Sequence, residues 1–119
     1  MKTIFRNTRL LTLAAGLLAN CGCKHSPSEP ARALTPQEAA GKQVFVSQCS
    51  GCHYADTDKG LYGPGLAGLF RKPYLPSGMA ANDARVTSVI VRGWAMMPPM
   101  GNTLSDQELA DLMAYLHTL

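Results

Sequence analysis

Residues 49–53 read CSGCH, two thiols three positions apart with an imidazole directly behind the second. That pentapeptide constrains the fold more than anything else in the chain. It must be built as a tight turn that presents three metal- or carbon-reactive groups to one place. The rest of the polypeptide must then supply whatever that place lacks. Zinc, a redox disulfide and a covalently stapled porphyrin all use two closely spaced cysteines, and they ask for different surroundings.

With 119 residues the chain has room for one modest domain, and part of it is not domain. Residues 1–20 begin with Lys2, Arg6 and Arg9 and then run apolar from Leu10 to Ala19. This is the pattern of an export signal, too short to stay in a bilayer as a permanent span. Removing it removes the charge excess. Of 11 Lys and Arg, three lie in the signal, which leaves 8 against 8 Asp and Glu. A basic balance would suggest nucleic acid or anionic lipid; the balanced remainder gives no reason for a nucleic-acid partner.

The signal ends in LLANC. Leu18, Ala19 and Asn20 before Cys21 resemble a bacterial lipobox, in which the cysteine is lipidated and becomes the first mature residue. Asn20 departs from the small residue usual there, and a cut after Ala19 is the competing outcome. Residues 21–34 are polar and broken by Pro27 and Pro30, unable to bury enough apolar surface to order themselves, and so read as a tether. Cys23 has no assigned role, and His25 reads as a solvated linker residue.

Residues 35–119 form the domain, and its pattern is helical. Thr35, Pro36 and Glu38 make a capping box with proline in the first turn. An apolar face runs through Ala39, the Gly41–Lys42 edge and Val46. Gly41 inside a helix sacrifices about 1 kcal/mol against alanine, which suggests a close helix crossing. A second helix starts at Asn82 or Asp83, turns Val86, Val89 and Ile90 inward and stops at Gly93. The last has Ser105 and Glu108 as a second capping box, with Leu109, Leu112, Met113 and Leu116 at i, i+3, i+4, i+7. No segment alternates as a strand would, and the Gly/Pro-rich run from Ala55 to Gly78 predicts loops with one helical turn. A core this small is marginal without a staple, metal or large apolar ligand.

CSGCH must therefore hold something. Zinc needs four ligands; after Cys49, Cys52 and His53 the domain offers only His117, and no second cysteine pair. A thioredoxin-like dithiol belongs in a βαβ setting that is missing here, and a plain disulfide leaves His53 unexplained. Covalent haem accounts for all three residues. Cys49 and Cys52 lie on one side of a helical turn, suited to the two vinyl groups at one porphyrin edge. His53 follows Cys49 by four positions and brings its ring to the iron from the same side.

The domain resembles the small monohaem class I cytochromes c. The likeness is carried by GKQVFVSQCSGCH, LYGPGLAGLF, VIVRGWAMMPPMG and LSDQELADLMAYLHTL, in the family's order. The resemblance implies an all-α fold of helices and Gly/Pro-rich loops wrapped around one covalent haem c. It implies that the first and last helices cross tightly, with Gly41 and Phe45 against Leu112, Tyr115 and Leu116. It further implies that the Pro64 carbonyl accepts a bond from His53, and that Met97, the methionine directly before proline, is the second axial ligand with His53. Met96 and Met100 are the weaker choices. By position Arg71, Arg92, Trp94 and Tyr62 could meet the haem carboxylates, but nothing is carried over for them.

A capped iron moves electrons; an open one binds or activates small molecules. The reading is an exported, lipid-anchored one-electron carrier, in the periplasm or on the outer face of a bacterial membrane. Its partners would be redox proteins: a dehydrogenase, an oxidase or a membrane electron-transport complex. No nucleophile–base pair or carboxylate pair suggests an enzyme, and Asp56 and Asp58 read as solvated. The competing reading is a haem sensor or peroxidase-type enzyme whose sixth position is open or displaceable. A domain that works only as a docked subunit is a third.

Overall fold

The structure is a computed structural model that describes residues 32–119; the signal, Cys21, Cys23, His25 and most of the tether lie outside the described residues. Three helices occur in order: α1 (Pro36–Gln48), α2 (Asp83–Arg92) and α3 (Asp106–Leu116), with one 3-10 turn at Leu69–Arg71. No strand forms among the described residues, where only two isolated bridges join Tyr74 to Ala80 and Trp94 to Met97. The all-helical reading of the sequence holds.

Each helix begins where local chemistry satisfies its free amides. The Thr35 hydroxyl accepts from the Glu38 amide at 3.2 Å, and the Glu38 carboxylate accepts from the Thr35 amide at 2.8 Å. The Asn82 side chain accepts from the Arg85 amide at 3.0 Å. Ser105 and Glu108 close the second capping box. α2 stops at Gly93, whose φ of 74° lies in the left-handed region open to glycine.

Glu38 has a second partner that spacing did not suggest. The Arg32 guanidinium grips its carboxylate with both terminal nitrogens. Arg32 and then the Thr35 amide hold the Glu38 carboxyl down at about 2. This corrects the expected face of α1. The buried positions are Glu38, Gly41 and Phe45, whereas Ala39 and Val46 face outward, Val46 at 60% exposure. The i, i+3, i+7 stripe from Glu38 lies about 100° round the helix from Val46, so one buried carboxylate, neutralised by its arginine, replaces the apolar residue the pattern seemed to want.

The core is made by α1 against α3. Phe45 and Leu112 are 3% and 1% exposed, and the Phe45 and Tyr115 rings meet at 5.6 Å, tilted by 55°. A Cβ built on Gly41 would stand 1.8 Å from the Asp111 carbonyl oxygen and 2.9 Å from Tyr115 Cβ. The two backbones are in direct contact, as the glycine suggested. α2 adds Val86 and Ile90 to the same core, and Leu69 enters from the 3-10 turn. Behind α3, the His117 ring stacks on Phe70 at 3.8 Å and its Nε2 lies 2.9 Å from Asp83 Oδ1, tying the end of α3 to the start of α2.

Two outcomes follow. Gly41→Ala should destabilise the fold by about 1–3 kcal/mol through overpacking, although the same change on an open helix would stabilise it by about 1 kcal/mol; chemical denaturation measures the sign. Because the folded Glu38 carboxyl titrates near 2 against an ordinary 4.5, its stabilisation is full above pH 4.5 and is lost as pH falls towards 2. Glu38→Gln should lower the melting temperature at pH 7 and flatten the melting temperature–pH curve across that window.

Candidate haem cleft

CSGCH continues α1 as turns instead of leaving it. The Cys52 and His53 amides both donate to the Cys49 carbonyl, at 3.0 and 2.9 Å, and Ser50 donates back to Phe45. The pentapeptide is thus fixed to the end of the helix that crosses α3. It opens into an apolar cleft of about 320 Å³. The floor is Phe45, Ile90, Leu112 and Leu116; the walls include Leu66, Leu75 and Val86. Cys49, Cys52, His53, Pro64 and Met97 all line it, so the structure brings the expected domain residues to one place. No Asp, Glu, Lys or Arg is among the lining residues.

Cys49 is half-buried, and the two sulfurs are not joined. Burial, and then the neighbouring Cys52, pushes the Cys49 thiol up to about 11. At neutral pH it is an uncharged apolar group in the wall, and a weak attacker in disulfide exchange, which requires the thiolate.

His53 is oriented by the segment after it. Its Nδ1 lies 2.8 Å from the Pro64 carbonyl oxygen. A carbonyl can only accept, so Nδ1 carries the proton, and in the neutral ring Nε2 keeps the lone pair. That bond sets the tautomer and raises the basicity of Nε2. The loop that supplies Pro64 is stitched to the motif by Gly63 N–H to the Cys52 carbonyl, 2.8 Å, and Leu66 N–H to the Tyr54 carbonyl, 2.9 Å. The imidazole lies flat on Gly63, where a Cβ would come 2.3 Å from its Cε1. Nothing in the residue pattern announces that contact beyond the glycine itself.

Another part of the lining is a strap, from Trp94 to Met100. Trp94 and Met97 exchange backbone hydrogen bonds at 3.1 and 2.9 Å, closing a four-residue turn with Ala95 at φ 52°. An L-residue held there is strained by about 1–2 kcal/mol. Past the two prolines, Met100 N–H donates to Ile90 O at 2.9 Å, returning the strap to α2. All three methionines of the strap line the cleft, but Met96 is 84% exposed while Met97 and Met100 are half-buried against the core.

The remaining candidates divide. Tyr62 and Trp94 line the mouth of the cleft; Arg71 and Arg92 do not. Arg71 is committed elsewhere, donating to the Leu119 carbonyl at 2.6 Å. Asp58 pairs with Lys72 at 2.7 Å on the surface. One residue escaped sequence reasoning altogether. Ser77, on a turn in the loop run, lines the cleft, and its hydroxyl is closed off from water without a protein partner. A cleft walled by hydrocarbon, with one imidazole, the half-buried thioethers of Met97 and Met100 and two cysteines in its lining, fits an apolar macrocycle that carries a metal at its centre.

Known proteins point the same way. The family model described as Cytochrome c matches residues 38–119. The chain is 30% identical over 111 residues to cytochrome c6 of Picosynechococcus, covering 91% of each chain. It is 34% identical over 84 residues to cytochrome c6 of Rippkaea orientalis, 71% of this chain and 72% of that one. It is also 32% identical over 98 residues to the cbb3-type cytochrome c oxidase subunit FixPc of Rhizobium leguminosarum, 82% of this chain but 31% of that one.

Gly63→Ala should drive the His53 ring off its seat and break the bond to Pro64, with a loss of about 1–3 kcal/mol in denaturation. The expected companion is a changed His53 ring signal in NMR.

Proposed function

The chain belongs to the cytochrome c family, whose cofactor is one covalently bound haem c, and from that premise we propose a one-electron carrier with His53 and Met97 as axial ligands and Cys49 and Cys52 as the thioether anchors. When bound, the haem supplies the Fe(III)/Fe(II) couple. The rest is the work of the chain. His53 offers Nε2 from a ring whose rotation the Pro64 carbonyl stops. Met97 offers a soft thioether, a donor that favours the reduced metal. The strap that carries it is held at both ends by backbone bonds, so the donor stays in reach through a change of charge. The apolar wall limits the access of water to the cleft, and no Asp, Glu, Lys or Arg side chain lines it.

The observation that supports this reading best is the meeting of His53 and Met97 in one apolar cleft, with the imidazole already in the tautomer a metal requires. The partners would be redox proteins. The likeness to an oxidase subunit favours an oxidase among the acceptors, with the chain either a free shuttle or a docked subunit, and a dehydrogenase or membrane electron-transport complex as donor. Export and lipidation of Cys21 would hold the carrier at the outer face of a bacterial membrane. The polar residues up to Leu34 would reach some 40 Å from it at roughly 3.5 Å per residue.

Mass spectrometry of the chain made in a host that matures c-type cytochromes should give one haem added and, with the lipobox in use, a diacylglycerol on Cys21. The ferric protein should be low-spin with the weak red charge-transfer band of a methionine–iron bond. Met97→Ala should abolish the band and lower the midpoint potential, and Met100→Leu should keep it. A bare polypeptide mass sinks the reading. A high-spin wild-type spectrum that takes up cyanide at once points to the open-site sensor or peroxidase instead.

A further inference from the structure

Leu75 and Pro76 belong to the cleft wall, and they come from the loop 72–82, between the 3-10 turn and α2. That loop is stitched to itself. Tyr74 bridges to Ala80. Leu75 N–H donates to the Met79 carbonyl and Gly78 N–H to the Leu75 carbonyl, both at 2.8 Å, and Ala81 N–H donates to the Pro73 carbonyl at 3.2 Å. Bonds within a loop fix its shape and leave open where it stands. Its apolar hold on the core comes from half-buried Leu75, so its place depends on how its two ends are tied.

Both ends meet the same side chain. The ring of His117, at the C-terminal cap of α3, lies on the Phe70 ring just ahead of the loop, with centroids 3.8 Å apart and planes 11° from parallel. Its Nε2 lies 2.9 Å from Asp83 Oδ1, just past the loop. An ionised carboxylate can only accept, so Nε2 carries a proton and donates it. An imidazole suits the position, because its face stacks while its edge donates in the ring plane. Two further ties serve the near end alone: Arg71 donates to the Leu119 carbonyl at 2.6 Å, and Lys72 to Asp58 at 2.7 Å. Of these groups, His117 is the one that meets both ends, and α3 is itself fixed against α1 at Gly41.

We propose that His117 is a positioning residue for the cleft: through Phe70 and Asp83 it clamps both ends of the 72–82 loop to α3, and so sets where Leu75 and Pro76 stand in the wall. Its bearing on the cofactor rests on the haem-carrier reading above. With the clamp released the wall drifts and water enters the cleft, which favours the oxidised, more highly charged iron.

The test uses holoprotein whose mass already shows one haem, so that a bare chain would overturn the carrier reading and this one with it, while a loaded chain isolates His117. In the reduced, diamagnetic protein the porphyrin ring current displaces the NMR signals of nearby methyl groups. His117→Ala should move the Leu75 methyl signals, leave those of Leu112 and Leu116 on the floor in place, and lower the midpoint potential. His117→Phe, which keeps a ring on Phe70 but loses the donor to Asp83, should change both readouts in the same direction by less. If in His117→Ala the Leu75 signals or the potential match the wild type, or the floor leucines move with Leu75 as in a general loosening, the proposal fails.

Discussion

The contact on which the molecule depends is backbone against backbone, where Gly41 of α1 lies on the Asp111 carbonyl of α3. Without a side chain between them the two helices approach closely enough for Phe45, Leu112, Tyr115 and Leu116 to close a core that has few other members. The same crossing aims the end of α1. Since CSGCH is hydrogen-bonded onto that end, the direction of two cysteines and one histidine is set about two turns upstream, by the glycine at the crossing.

The chemistry is then placed by segments with almost no regular structure. The loop beyond CSGCH is irregular but stitched by its own amides, and it delivers the one carbonyl that orients His53. The strap after α2 is likewise irregular and likewise tied at both ends. Helices supply the floor, and turns and loops bring His53 and Met97 to the cleft. A small domain can do this because an enclosed hydrophobic cofactor replaces the core that the loops do not make.

What could be read from the residues was local or covalent. Thr35 with Glu38, Asn82, and Ser105 with Glu108 announce their helices because a cap is settled within four residues. CSGCH announces its cofactor because its spacing matches the chemistry. Gly41 was legible as a crossing because glycine there has no other use. The inward face of α1 was not legible: burying Glu38 required Arg32, six residues away, to neutralise it, and no periodicity carries that. Arg71 and Arg92 looked well placed by position, yet one is drawn to Leu119 and neither reaches the cleft. Ser77 looked like ordinary loop, since only the folded turn brings it to the wall.

The tight turn at Trp94–Met97 has a chemical side effect. Thioethers are oxidised in order of their access to solvent, and this turn leaves Met96 almost bare while its neighbour is half covered. Peroxide reaching the domain meets the Met96 sulfur more readily than that of Met97.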